Sequence, residues 1–481
     1  MLTEAPPAPA AQESFRDPGG RLYRFPGRIL RAVEPAHAAV LQEFLATSAA
    51  ADAVACGRLV RSTPVEESAR RDLALPFGDA TSVWEHECIP FPSYPYEWPA
   101  EMLHAAASLT LGLAEAALDE GFGIKDASPY NVLFRGSQAV FVDVLSFEKR
   151  DPFDRTWLAY AQFVRTFLLP LAADRYFGLA ANRVLTGRRD GIEPEAIYEW
   201  SSWVRRLTPP FLTLVSVPKW VGARQGDAGP SYRSQRASSA EEARFVLKGL
   251  LRSCRRQLKA LAPRESPKSV WTGYLDHKSI YSAAQLAQKE RFVAEALDLM
   301  RPQSVLDIGA NEGRFSLLAA RCGAEVVAID SDRAVAGSIW RQASNANLNV
   351  LPLVVDLTRP TPAVGWRNQE CSSFLDRAKG RFDAVMMLAV VHHILVTERI
   401  PLEDLLALAD ELSREYVLIE FVAPQDPMFQ RIVRGRDELY SHFSTAWFEA
   451  AALSRFELVR SEKIDGLYRW LYLFRRRRAT S

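Results

Sequence analysis

From residue 289 onward the chain alternates short apolar runs with amphipathic stretches, and this alternation restricts the fold more than any other feature. "KERFVAEALDLM" has helical spacing, "SVLDIG" (304–309) is a buried strand, and "RFSLLAARCG" is a helix closed by Gly323. "EVVAID" (325–330), "NVLPLVVD", "FDAVMML" and "YVLIEFV" read as strands two to five. Apolar strands separated by helix-length segments predict an α/β fold with a parallel, doubly wound sheet. The last segment, "FELVRSEKIDGLYRWLYLFRRRR", departs from the alternation. Two strands flank a "DG" turn there, the pattern of an antiparallel hairpin.

The full chain has 481 residues, more than one hydrophobic core accommodates, so at least two domains are expected. Three segments are predicted: a disordered Pro/Ala tail over 1–18, a first domain over 19–265 and a second over 266–481. The tail carries no basic start and no apolar core, so it is not a secretory signal. No apolar run is long enough to span a bilayer free of charge or proline. A formal net charge of +1 gives no reason to expect nucleic acid or an acidic membrane as the main partner. Five scattered cysteines without a CxxC or Cys/His cluster fit reduced thiols in a cytoplasmic protein and predict no metal site. Arginine far outnumbers lysine, a bias of GC-rich bacterial coding.

The first strand of the second domain runs into "LDIGANEG", where Asp307, Gly309, Asn311 and Gly313 form a D-x-G-x-N-x-G loop. Glycines there let the backbone approach a ligand, and the following helix offers free N–H groups. The dinucleotide fingerprint G-x-G-x-x-G is absent, because Asn311 stands two residues after Gly309. An acid ahead of the first glycine repels a pyrophosphate and suits a ligand with a cationic amino-acid moiety. Asp330 ends the second strand, and Asp356 follows the third in "VVDLT".

Loop, acids and closing hairpin together resemble the class I S-adenosylmethionine-dependent methyltransferases, over roughly residues 270–475. The resemblance implies a Rossmann-like seven-stranded sheet with an antiparallel last hairpin and S-adenosylmethionine as cofactor. It implies a donor site of Asp307, Gly309, Ala310, Asn311, Gly313, Asp330, Asp356 and Leu357. Asp330 would accept both ribose hydroxyls, and Asp356 would take the adenine amino group. "WTGYLDHKSIYSAAQLAQKERF" (271–292) resembles the segment that covers the donor in that family, so Tyr281 is a further candidate contact.

Methyl transfer is an in-line displacement at a sulfonium carbon, served by positioning and exclusion of water. A base helps when the nucleophile is a hydroxyl. His392 and His393 leave the fourth strand at the ligand-binding edge, and Glu420 ends the fifth. These three are the candidates for catalysis, and each also has a structural reading as a hydrogen-bonded polar group. No N/D-P-P-Y motif follows the fourth strand, which argues against DNA or a protein amide as acceptor. A small-molecule, glycan or natural-product acceptor, methylated at oxygen, is the expectation.

In the first domain, "KDASPYN" places Asp126 five residues before Asn131, and "VFVDVLSF" adds Asp143. Order and spacing resemble the catalytic loop and metal-binding aspartate of protein-kinase-like and aminoglycoside-phosphotransferase-like enzymes. That resemblance covers residues 20–215 and implies an α+β kinase-like domain. The departures are specific. No lysine precedes Lys125, so the phosphate-holding lysine of those enzymes has no counterpart, and no glycine-rich phosphate loop occurs in the first hundred residues. Arg31 could substitute, although a planar guanidinium is not equivalent to an ammonium. Asp126, Asn131 and Asp143 therefore read as vestiges in a pseudokinase. A bifunctional enzyme that also transfers phosphate, and a non-catalytic regulator that binds the methyl donor, are the alternatives.

Overall fold

The structure, a computed structural model, describes residues 10–14, 17–25, 27–68, 82–225, 236–264 and 281–477. Most of the Pro/Ala tail and residues 271–280 of the expected donor cover lie outside these. Two compact units divide the chain at Arg264 and Glu265, and residues 365–371 group with the first. The sequence offers no sign of that excursion.

The first unit opens on five antiparallel strands in the order β1-β2-β3-β5-β4. They are β1 Ala10–Ser14, β2 Gly20–Phe25, β3 Arg28–Val33, β4 Ser62–Pro64 and β5 Ser82–His86. β1 corrects the expectation of a disordered tail through residue 18. Ladder bonds need only backbone groups, and Ala10, Gln12 and Ser14 pair with Arg24, Tyr23 and Leu22. Helix Ala100–Asp119 follows; Met102, Leu103, Ala106, Leu111 and Ala114 recur at helical spacing and are buried. Helix Ala240–Ala260 packs on it through Ala243, Leu247, Leu251, Cys254 and Leu258. Two short ribbons stand beside them. β6 (Phe122–Ile124) pairs with β9 (Phe147–Lys149), and β7 (Val132–Arg135) pairs with β8 (Gln138–Phe141). The turns that enter β7 and leave β8 carry Asp126, Asn131 and Asp143.

The second unit is built on β10 (Ser304–Ile308), β11 (Glu325–Asp330), β12 (Val350–Val354), β13 (Phe382–Met387), β14 (Ser413–Val422), β15 (Phe456–Lys463) and β16 (Arg469–Arg476). Their order is β12-β11-β10-β13-β14-β16-β15. The first five are mutually parallel, and β16 inserts antiparallel between β14 and β15. The turn at Asp465 and Gly466, with Gly466 at φ 71°, closes the hairpin. Strand order reverses between β10 and β13, and ligands bind at such a switch point, beyond the carboxyl ends of the strands.

Helix Ala283–Met300 covers one face of this sheet. Ser282 and Gln285 cap it reciprocally, each side chain accepting the other's backbone N–H. Phe292, Val293, Ala296 and Leu297 are buried in a core shared with Val305, Met386, Leu418 and Leu473. Each such large apolar side chain contributes roughly 1.5–3 kcal/mol on burial. This packing fixes the sheet edge on which the loops after β10, β11, β12 and β13 converge.

Candidate active site

The loop after β10 needs backbone conformations that side chains disfavour. Gly309, Asn311 and Gly313 have φ of 70°, 46° and 79°. A Cβ on Gly309 would lie 2.9 Å from Val390 Cγ2, and one on Gly313 would lie 2.7 Å from Ile339 Cγ1. The loop is thus pressed between the segment after β13 and a neighbouring helix. Ile329 O accepts from the Gly309 and Ala310 N–H groups at 2.9 and 3.1 Å. The Asn311 N–H donates to Asp330 Oδ2 at 3.0 Å, and the Asp332 N–H to Oδ1 at 2.9 Å. A carboxylate accepts about four hydrogen bonds, so Asp330 retains capacity for a ligand.

A cavity of about 270 Å³ opens at this edge. Of the residues singled out from the sequence, Gly309, Asn311, Asp330, Asp356, Leu357 and His393 line it. Asp307, Ala310, Gly313, His392, Glu420 and Tyr281 stand behind the wall. Sequence reasoning missed Ala389 and Val390, which complete the wall beside Gly309. The run "LAVVHH" gives no sign that Ala389 adopts φ 58°.

Three observations fit a nucleoside-bearing methyl donor. The two glycines keep the loop open where a Cβ would collide. Asn311 Oδ1 is buried without a hydrogen-bond partner among the described residues, so it can accept from a ligand. Burial pushes the Asp330 carboxyl up to about 6, against the backbone N–H groups of Asp332 and Asn311, which lower it. A carboxylate held this far from bulk water interacts strongly with hydroxyl donors. Asp356 is occupied differently: its Oδ1 accepts from Thr358 N at 2.9 Å and Thr358 Oγ1 at 2.6 Å.

Asp307 does not face the cavity. It is 2 % exposed and accepts from Ser316 Oγ at 2.5 Å. Burial raises its carboxyl to about 6, opposed by the Ser316 bond and by Lys289. It ties the end of β10 to the helix that follows the glycine loop.

The three candidates for catalysis separate sharply. His393 lines the cavity, and its imidazole is pushed down to about 4 by burial and by Arg469. His392 is 1 % exposed, lies 4.3 Å from His393 between ring centroids, and among the described residues neither of its nitrogens has a hydrogen-bond partner. Burial, then His393 and Arg469, hold it far below its ordinary range. Glu420 is fully buried. Lys289 Nζ donates to its Oε2 at 2.6 Å, Arg469 Nη1 to its Oε1 at 3.3 Å, and the Tyr281 hydroxyl also donates to Oε1. Burial alone would raise the Glu420 carboxyl, but Lys289 and Arg469 outweigh it and hold it below its usual value. Arg469 further makes a two-pronged pair with Asp426, at 2.8 and 3.0 Å. Glu420 and Tyr281 thus belong to a buried ionic knot, and neither reaches the cavity. The knot escaped sequence reading because Lys289 lies in the middle of a helix and Arg469 opens a strand.

In the first unit the sequence-predicted cluster also comes together. Arg31 Nη1 donates to Asp143 Oδ1 at 2.5 Å, and Ser146 Oγ donates to Asp143 Oδ2. Asn131 Nδ2 donates to Asp126 O and to Ser146 Oγ, each at 3.1 Å. Asp126 Oδ1 accepts from Ser128 N at 3.0 Å and Gln162 Nε2 at 2.7 Å. Burial acts to raise Asp143, but Arg31 and Ser146 hold its carboxyl below the ordinary range. Nearby, burial and then Arg31 push His86 down to about 3. Among the described residues no group of three or more His, Cys, Asp or Glu could hold a metal ion.

A family described as methyltransferase domain matches residues 274–472. Sheet order, glycine loop and strand-end acids define this unit as an S-adenosylmethionine-dependent methyltransferase. Across its whole length the chain is 30% identical to nodulation protein NoeA of Rhizobium meliloti (strain 1021), over 99% of this chain and 98% of that one. It belongs to the family of that protein. Solved structures to which the chain is similar include N-methyltransferase NodS from Bradyrhizobium japonicum WM9, 11% identical, covering 41% of this chain and 99% of that one, TM-score 0.31. Magnesium protoporphyrin IX methyltransferase from Synechocystis PCC 6803, solved with bound SAH, is 18% identical over 40% of this chain and 84% of its own, TM-score 0.30.

Proposed function

We propose that the methyltransferase unit transfers the donor's methyl group to a hydroxyl of a small-molecule or glycan acceptor, with His393 as the base. The observation that carries this reading is the position of His393 on the cavity wall together with its depressed pKa of about 4. At neutral pH the ring is unprotonated and able to take a proton. S-adenosylmethionine supplies an activated methyl on a sulfonium. Asp330 would hold its ribose, Asn311 would accept from its amino-acid end, and Leu357 would flank its base. The surrounding apolar wall of Val390 and Ile394 excludes water, which favours attack by a hydroxyl over hydrolysis.

We further propose that the first unit is a kinase-like domain kept as a scaffold. The ion pair of Arg31 with Asp143 supports this, because a guanidinium stands where a metal-binding carboxylate would otherwise be open. The chain would act in the cytoplasm, where its five cysteines would stay reduced.

The test is incubation of the full chain with methyl-labelled donor and fractionated cell extract. Label is expected in a small-molecule or glycan fraction, at an oxygen stable to mild base. Label in protein or nucleic acid, or on nitrogen, would overturn this assignment of the acceptor.

A further inference from the structure

The methyltransferase unit carries a second concavity, of about 490 Å³, between residues 395–403 and 439–447. We propose that it is a saccharide subsite, holding one sugar ring of the acceptor beside the donor cavity. The inference rests on the glycan form of the proposed acceptor and goes beyond it by assigning the residues that would recognise it.

Its floor is aromatic and flat. Phe443 and Trp447 stack with ring centroids 4.2 Å apart and planes 14° apart. His442 stands edge-on to both, at 4.8 and 5.6 Å. Tyr440 meets Phe443 edge-on at 5.4 Å. Phe443 and Tyr440 are buried and fix the platform, while Trp447 is only half-buried and leaves part of its ring accessible. Ser444 caps the helix Thr445–Leu453 by accepting from Trp447 N, which pins the indole at the start of that helix.

The rim is mixed, with Leu439 62 % exposed beside three polar side chains. Arg399, Glu403 and His442 are exposed, and among the described residues neither Arg399 nor Glu403 has an ion pair or hydrogen bond. Arg399 adopts φ 58°, which turns the chain out of the helical path after Val391–Val396. An aromatic floor that leaves part of one indole open, with a rim of one cation, one anion, an imidazole and a leucine, matches a ligand with apolar C–H faces and hydroxyl edges. A pyranose with equatorial hydroxyls is such a ligand. An acyl chain would leave the charged rim unused. A phosphate backbone would meet Glu403 and find a single guanidinium, too little for counterion release.

Placement supports a role in the same reaction. Ile394, Thr397 and Glu398 wall the donor cavity, while Leu395, Arg399 and Ile400 wall this one. Successive residues of one turn therefore separate the two cavities, and an oligosaccharide seated in one can present a neighbouring hydroxyl to the other.

Saturation-transfer NMR on the full chain with cellotetraose and with chitotetraose tests the subsite directly. Saturation is expected on ring C–H protons of at least one tetrasaccharide. Trp447→Ala should weaken binding about tenfold, in line with the loss of one stacking platform. Because Trp447 also packs on Phe443, Arg399→Ala serves as the second variant. It is exposed, should keep the fold and donor affinity, and should weaken the sugar several-fold. No saturation with either sugar, or unchanged binding in both variants, overturns the subsite. The outcome is separable from that of the extract experiment. A methylated glycan whose KM is unchanged by both substitutions would leave the acceptor class standing and remove this site. A non-glycan acceptor would remove the class, while direct sugar binding would still decide the subsite.

Discussion

Arg31 and Asp143 are 112 residues apart in sequence, and their side chains meet at 2.5 Å. Arg31 is only 7 % exposed, so the pair neutralises a charge that would otherwise be buried alone.

The first prediction follows from this pair. Asp143→Asn should leave methyl transfer at saturating donor intact while lowering stability by about 3 kcal/mol, the low end for breaking a buried ion pair. Denaturant titration measures the loss. Because the folded carboxyl is held below its unfolded value of about 3.9, its contribution is complete above that value. It is lost as pH falls through the folded one. Magnesium and ATP should not bind measurably. ATP-dependent labelling of a small molecule, abolished by Asp126→Asn, would sink the scaffold reading.

Asp330 should govern donor affinity. Asp330→Ala removes up to two charge-assisted hydrogen bonds to ribose, each worth roughly 1.5–3 kcal/mol. Donor affinity should fall at least about tenfold by calorimetry, and unchanged affinity would place the ribose elsewhere. The pH dependence has a definite sign. The folded carboxyl titrates near 6, above its unfolded value of about 3.9. The folded state therefore binds more protons in that window, and its stability falls as pH rises from about 4 to about 6. Donor binding to the ionised form should release a proton near pH 6. Calorimetry in buffers of differing ionisation enthalpy detects it.

The two histidines should part company. His393→Ala should lower turnover on the true acceptor by about 10²–10⁴ with little change in donor affinity. Both His392 nitrogens are buried without a partner among the described residues, so His392→Phe should leave turnover intact. It should also stabilise the chain by about 1 kcal/mol, since an unsatisfied buried polar group costs about 1–3 kcal/mol. Reversal of these two phenotypes would assign the base to His392.

Glu420 should act on stability. Glu420→Gln leaves Lys289 buried without its counter-charge, while Arg469 keeps Asp426, at a cost of about 3 kcal/mol. Adding Lys289→Met should recover part of the loss. A turnover defect in Glu420→Gln protein that is fully folded at low temperature would show that the carboxylate acts on the reaction.

The seven-stranded sheet was legible because parallel strands buried on both faces read as unbroken apolar runs, as in "SVLDIG" and "FDAVMML". That Asp330 and Asp356 would stand at the ligand-binding edge was legible because Asp330 ends β11 and Asp356 follows β12. The behaviour of His392, His393 and Glu420 was not. His392 and His393 are neighbours in the helix Val391–Val396, where only packing decides which one meets the cavity, and Glu420 is drawn into contacts with Lys289, Arg469 and Tyr281 that lie far from it in sequence. Sequence order likewise suggested Arg31 as a stand-in for a lysine, but its partner depends on the pairing of β3 with β5 and on the turn after β8. The strand at Ala10–Ser14 carries no apolar alternation, so nothing but its ladder reveals it.

Arg469 lies near the end of the chain, yet it reaches Glu420 and Asp426, and its strand is inserted between two others. The methyltransferase unit therefore cannot close its sheet until the residues through β16 have left the ribosome. Until then Glu420 and Asp426 lack their guanidinium, and the long edge of β14 stays open. Every unit of the first half is already complete at that stage. During synthesis the half with the glycine loop thus becomes protease-resistant after the first unit, and stalled chains ending before residue 469 should remain cleavable within it.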